Sequence, residues 1–119
     1  MFASALAGLS IVGPAAPASS HTKLVTPIKI SVVARDFSFK FSKLSVRAGS
    51  TVIFTLTNRG ATDHNLVFTT LHKATPLVAP GKSYKLKVVF KKKGRYPYVC
   101  TVPRHAERGM ADSFLVKAA

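Results

Sequence analysis

From Pro27 onward, apolar residues recur at every second position in short runs, and this pattern most constrains how the chain can fold. In the clearest run, Val52, Phe54 and Leu56 alternate with Thr and Ile residues. A period of two places successive side chains on opposite faces of a β-strand. Turn-forming sequences such as Ala48-Gly49-Ser50 separate the runs. The pattern therefore predicts short strands with one apolar face each, and no ten-residue segment shows an amphipathic helical stripe.

About seven strands are predicted, with an eighth near the C-terminus. They lie at residues 27–33, 36–41, 44–47, 51–57, 64–69, 83–90, 95–100 and 113–117. Residues 70–80 and 101–111 are predicted to be the longest loops. Short strands at this spacing are typical of an all-β sandwich or barrel. A chain of 119 residues allows one such domain and excludes a (β/α)8 barrel or a two-domain nucleotide enzyme.

The N-terminal residues differ in composition from the rest of the chain. The first 18 residues carry no charged side chain, and Phe2 to Val12 form a largely apolar run. Such a run fits the core of a signal peptide and is too short to span a membrane. No basic segment precedes it, because the first cation is Lys23. We assign residues 1–20 to a complete or truncated signal peptide or to a disordered tail, and residues 21–119 to the functional domain. We expect export to the periplasm or another extracytoplasmic or extracellular location.

The residues with distinctive chemistry lie between positions 98 and 110. Cys100 is the only cysteine, His105 follows it by five residues, and Met110 follows after five more. A second histidine, His64, begins an earlier predicted strand. One thiolate, two imidazoles and a thioether suit copper, with the Cys and both His in a plane and a weak axial Met. Because Cys100 ends a strand, the loop after it can bring His105 and Met110 back to the same point. We therefore predict a single copper site built from these four residues.

Other interpretations explain only some of these residues. A lone Cys is usually a small buried hydrophobe, and a lone Met usually fills a core. Zinc could bind two His and a Cys, but Met is a poor zinc ligand. A Cys–His nucleophile would need an orienting partner and an oxyanion hole, and no motif marks either. His21 and His72 are expected at the surface, and the acidic residues show no pairing suited to acid–base catalysis. We do not expect an enzyme.

The motifs resemble those of the cupredoxins, the small blue copper proteins, especially the plastocyanin-, auracyanin- and halocyanin-like members. The likeness runs from about Phe37 to Val116. It rests on Leu44-Ser45-Val46-Arg47-Ala48-Gly49, Asn58-x-Gly60, Asp63-His64-Asn65, Gly94-Arg95-Tyr96-Pro97-Tyr98-Val99-Cys100 and the Cys-x4-His-x4-Met loop. The resemblance implies a Greek-key β-sandwich or barrel that carries single electrons. It also implies that His64, Cys100 and His105 are the equatorial copper ligands and that Met110 is the axial ligand.

The same resemblance implies roles for residues around the ligands. The backbone N–H of Asn65 would point at the sulfur of Cys100, and its side chain would join the loop at Thr101. His105, on an exposed loop, would be the point at which electrons enter and leave. Arg104 stands where many relatives have Gly. Its charge beside His105 should favour Cu(I) slightly and alter the choice of partner.

The charge of the chain predicts anionic partners. Lys and Arg number 18 against 4 Asp and Glu, a formal charge of +14. Such surfaces often bind nucleic acid, but the basic stretch around residues 82–95 offers few aromatic side chains for base stacking. We expect an acidic redox partner near Arg104 and Arg108 or an anionic envelope surface, no specific nucleic acid, and a monomer. Two alternatives stay open: a copper delivery or storage protein using the same ligands, and a basic β-domain that binds nucleic acid or anionic polymers.

Overall fold

The computed structural model describes residues 26–119, which form nine β-strands and no helix. The strands are β1 (Ile28–Arg35), β2 (Ser38–Phe41), β3 (Ser45–Arg47), β4 (Ser50–Asn58), β5 (Val67–Phe68), β6 (Lys73–Ala74), β7 (Ser83–Phe90), β8 (Gly94–Val99) and β9 (Ala111–Lys117). Within these residues no helix is long and apolar enough to cross a membrane. The predicted all-β fold is confirmed, whereas the predicted signal peptide and His21 lie outside the described residues.

The strands form two sheets of a β-sandwich. The first has the order β2-β1-β4-β7, and the second has the order β3-β9-β8-β5-β6. β1 pairs with β4 in parallel, and β3 pairs with β9 in parallel, whereas the other pairs are antiparallel. Strands far apart in sequence are therefore neighbours in each sheet, as the predicted Greek-key arrangement requires.

The core lies between the sheets, where the apolar faces of their strands meet. β4 is buried at every second residue, which is the predicted period. Phe54 of the first sheet and Phe68 of the second have ring centroids 5.1 Å apart, and Phe90 and Phe114 are stacked across the sheets at 5.3 Å. All four rings are fully buried. This aromatic cluster ties the two sheets together.

The structure differs from the prediction between residues 64 and 80. One strand is predicted at 64–69, but β5 is only two residues long, and β6 lies within the predicted loop at 70–80. Thr75 explains the short β5, because its hydroxyl accepts the Leu66 N–H at 3.0 Å in place of a backbone partner. His64 pairs with Val78 in an isolated bridge. His64 is thus fixed at a position where the chain has left the regular sheet.

Replacing Phe54 with Ala should lower the free energy of unfolding by about 3–5 kcal/mol, because it opens a cavity among the buried rings. Tyr84→Ala is the matched control: Tyr84 lies in the same sheet, is 42% exposed, and its loss should cost under ~1 kcal/mol. Guanidinium unfolding of both variants measures the difference. Equal losses would contradict a core centred on Phe54.

Candidate metal centre

Three of the predicted ligands, His64, Cys100 and His105, converge in one buried cluster. The Sγ of Cys100 lies 3.8 Å from the Nδ1 of His64 and 3.6 Å from the Nδ1 of His105, and the two nitrogens are 3.2 Å apart. Cys100 is 1% exposed, His64 is 0% exposed and His105 is 6% exposed. Among the described residues these three atoms have only one another as hydrogen-bond partners. A sulfur and two ring nitrogens therefore face a common point, as in a metal site.

The loop after β8 brings the fourth predicted ligand, Met110, beside this cluster. The Cys100 N–H donates to the carbonyl of Met110 at 3.0 Å, and the Met110 N–H donates to the carbonyl of His105 at 3.1 Å. Met110 is fully buried. Gly109 has a φ of +133°, and a Cβ there would lie 2.8 Å from the carbonyl oxygen of Phe37. Glycine at this position therefore lets the loop close.

A buried asparagine shapes the segment that presents His64. Asn58 ends β4 and is 0% exposed. Its amide nitrogen donates to the carbonyls of Thr62 and Val78, both at 2.8 Å, and its amide oxygen accepts the Gly60 N–H at 2.8 Å. These bonds satisfy the buried amide and close the turn before His64. They give a physical reason for the Asn58-x-Gly60 motif.

Asp36 holds the outer side of the His64 ring, a contact that the sequence analysis missed. The Nε2 of His64 lies 2.6 Å from Oδ1 of Asp36. The Ala61 N–H and the Thr62 hydroxyl also donate to this carboxylate, each at 3.0 Å. Desolvation acts against ionisation, but these hydrogen bonds outweigh it and lower the pKa of Asp36. An ionised carboxylate only accepts, so this contact requires a proton on Nε2 of His64 and leaves Nδ1 as the ring nitrogen that would bind a metal.

Gly60 makes the contact between Asp36 and His64 possible. A Cβ on Gly60 would overlap Oδ1 of Asp36 and lie 2.8 Å from Nε2 of His64. Asp36 follows β1 and Gly60 follows β4, and these strands are parallel neighbours. Gly60 was the sequence feature that could have indicated the contact between Asp36 and His64. It could not be interpreted without the pairing of β1 with β4, which the sequence does not show.

The Asn65 side chain links the His64 segment to the loop after Cys100. Its amide donates to the Thr101 hydroxyl at 2.7 Å and accepts the Thr101 N–H at 2.8 Å. The resemblance implied this link. It also implied a hydrogen bond from the Asn65 N–H to the Cys100 sulfur, and the hydrogen bonds of the described residues do not include one.

The His105 ring is less exposed than we expected for a residue on an exposed loop. The ring of Phe37 packs against it edge-on, with centroids 4.9 Å apart, and the Arg108 guanidinium lies 4.8 Å from the centre of the Phe37 ring. Burial lowers the pKa of His105, and the nearby His64 lowers it further. Arg104 is exposed and has a φ of +71°. A positive φ favours glycine, which explains why many cupredoxins have Gly at this position.

The sequence matches the family model of the cupredoxin-like domain over residues 3–110. The chain belongs to the cupredoxin-like family. The predicted resemblance is therefore confirmed. A comparison with curated protein sequences finds no match.

Solved structures share this cupredoxin fold. Auracyanin B aligns with a TM-score of 0.67 at 21% identity, over 77% of this chain and 91% of that one. Auracyanin A, a "blue" copper protein from the green thermophilic photosynthetic bacterium Chloroflexus aurantiacus, gives 0.65 at 19% identity, over 77% and 100%. A copper-containing nitrite reductase from Thermus scotoductus gives 0.62 at 21% identity, over 78% of this chain but 28% of that one. The fold thus occurs both in small copper proteins and within a larger enzyme.

Removing the Asp36 carboxylate should remove the hydrogen bond that fixes the tautomer of the His64 ring. In Asp36→Ala the buried Nε2–H loses its acceptor, which should cost about 1–3 kcal/mol of stability and allow both ring tautomers. Asp63→Ala is the matched control, because the exposed Asp63 carboxylate makes no hydrogen bond to His64, and its loss should cost under ~0.5 kcal/mol. Nitrogen-15 NMR of the metal-free protein reports the tautomer. A His64 ring that keeps its proton on Nε2 in Asp36→Ala would contradict this role.

Proposed function

We propose that the protein is a copper electron carrier that binds one copper ion through His64, Cys100, His105 and Met110. The observation that carries this proposal is the burial of one sulfur and two imidazole nitrogens around a common point. The donor set fits the metal, since sulfur ligands stabilise Cu(I) and imidazoles also accept Cu(II). Bound copper would supply a one-electron couple.

The surrounding residues support electron exchange by limiting movement of the ligands. His64 is held by Asp36 on its outer side, and the segment after Cys100 is held by Asn65. Partners that orient ligating side chains also tune a bound metal. A donor set that is already positioned changes little when the charge of the metal changes, which favours rapid and reversible electron exchange.

The same features favour a carrier over a copper enzyme or a delivery protein. The His105 ring is 6% exposed beneath Phe37, so a small substrate has little access to the donor atoms. Delivery requires ligands that exchange readily, whereas these are buried and held by hydrogen bonds. The largely apolar run from Phe2 to Val12 supports the further proposal that the chain is exported.

Adding Cu(II) to the protein should produce an intense visible thiolate-to-copper band. Cys100→Ser should abolish this band, because a hydroxyl does not replace the soft sulfur ligand. Met110→Leu should keep copper bound and raise the reduction potential, since the weak axial sulfur is lost. Absorption spectra and voltammetry measure both effects. A band that survives in Cys100→Ser would refute the assignment, and rapid loss of Cu(I) to a chelator would favour delivery.

We further propose that acidic groups of a redox partner contact Arg104 and Arg108, the exposed cations beside His105. The second-order electron-transfer rate with an acidic partner should then fall as salt rises, and fall further in the Arg104→Gln/Arg108→Gln variant. Lys91→Gln/Lys92→Gln removes the same charge elsewhere and is the matched control. Stopped-flow kinetics across ionic strength give the rates. Equal losses in the two variants would contradict docking beside His105.

A further inference from the structure

The two ends of the sandwich differ strongly in charge. We call the end that carries residues 100–110 the site end, and the opposite end, where β4 begins and β7 ends, the far end. All four acidic residues of the chain lie at or beside the site end: Asp36, Asp63, Glu107 and Asp112. Six cationic residues share it: Arg35, Arg59, Lys73, Lys82, Arg104 and Arg108. The site end therefore carries only a small net positive charge.

The far end has cationic residues and no acidic ones. They are Lys43, Arg47, Lys91, Lys92, Lys93, Arg95 and Lys117. Arg47 and Lys117 are direct partners in the pairing of β3 with β9. Like charges opposite one another destabilise a sheet, and among the described residues no carboxylate forms an ion pair with them. The far end thus concentrates positive charge at a cost in stability, which an anionic ligand would relieve.

A surface cavity lies within this basic end. It has a volume of about 350 Å³, and Lys43, Arg47 and Lys117 line it together with the hydroxyl-bearing Ser45 and Ser50. Three cations and two hydroxyl groups are donors suited to a phosphate group. The far end therefore offers both a broad positive surface and a recess for one anionic group.

Apolar residues beside these cations favour a lipid surface over nucleic acid. Leu44 is 61% exposed, next to Lys43, and Val89 is 43% exposed near the end of β7. Single-stranded nucleic acid is usually bound by exposed aromatic rings, whereas aliphatic side chains among lysines suit a membrane interface. Ile28, the first residue of β1, lines the cavity.

We propose that the far end binds the anionic surface of a lipid membrane, with a headgroup phosphate in the cavity and the site end turned away. This proposal goes beyond electron transport and does not depend on copper binding. Basic clusters bind anionic lipid through charges close to the surface, and the attraction weakens over a Debye length. The copper site would then stay accessible to a partner while the protein is on the membrane.

Sedimentation of the metal-free full chain with vesicles tests the location of the binding surface. Vesicles contain either phosphatidylcholine alone or a mixture with phosphatidylglycerol. The variant Lys43→Gln/Arg47→Gln/Lys117→Gln should bind the anionic vesicles about 100-fold more weakly than the unaltered chain. The matched control Arg35→Gln/Arg59→Gln/Arg104→Gln removes the same charge at the site end. Its affinity for the anionic vesicles should fall less than about fivefold. Equal losses would overturn the proposal, as would tighter binding to an oligonucleotide of equal phosphate concentration.

A fluorescence measurement tests the orientation. The chain contains no Trp, so a single introduced Trp reports its own surroundings. Leu44→Trp places it at the far end, and Leu77→Trp places it at a site that is 57% exposed, next to the Val78 bridge with His64. Anionic vesicles should shift the emission of Leu44→Trp to shorter wavelength and leave that of Leu77→Trp unchanged. A shift in Leu77→Trp alone, or in neither variant, would overturn the proposal.

Discussion

Two backbone hydrogen bonds at the end of β8 hold the candidate copper site together. Cys100 donates to the carbonyl of Met110, and Met110 donates to the carbonyl of His105, so three residues spaced along one loop meet at one place. His64 comes from a separate segment and reaches them because Asp36 fixes its ring from the outside. The donor atoms are thus positioned by the fold itself, which is the condition for an electron carrier whose ligands need not rearrange.

The all-β fold was predicted correctly because strand formation depends on local pattern, and local spacing also led to the proposed loop ligands Cys100, His105 and Met110. The period of two in β4 appears directly as alternating burial, and the spacing of the loop ligands is short. The shortened β5 was missed because the Thr75 side chain replaces a backbone partner of Leu66. Asp36 was missed because it lies 28 residues from His64, and only the parallel register of β1 and β4 brings them together. Contacts of this kind depend on strand pairing, which residue patterns alone leave open.

The charge distribution supports separate binding roles for the two ends of the domain. A uniformly basic protein would orient poorly toward any partner, but here the acidic residues sit at the site end and leave the far end strongly positive. Long-range attraction would therefore turn the far end toward an anionic surface. Short-range contacts by Arg104 and Arg108 beside His105 would then select a redox partner. Membrane attachment and electron exchange would use different faces and would not compete.

The proposed electron carrier requires that the buried donor cluster hold copper in both oxidation states without rearrangement. Crystal structures of the copper protein, one oxidised and one reduced, test this requirement. We expect the Nδ1 atoms of His64 and His105 and the Sγ of Cys100 to keep their positions within ~0.5 Å, with the 101–109 loop unchanged. A ligand that leaves the metal on reduction, or a loop that refolds, would rule out such a site.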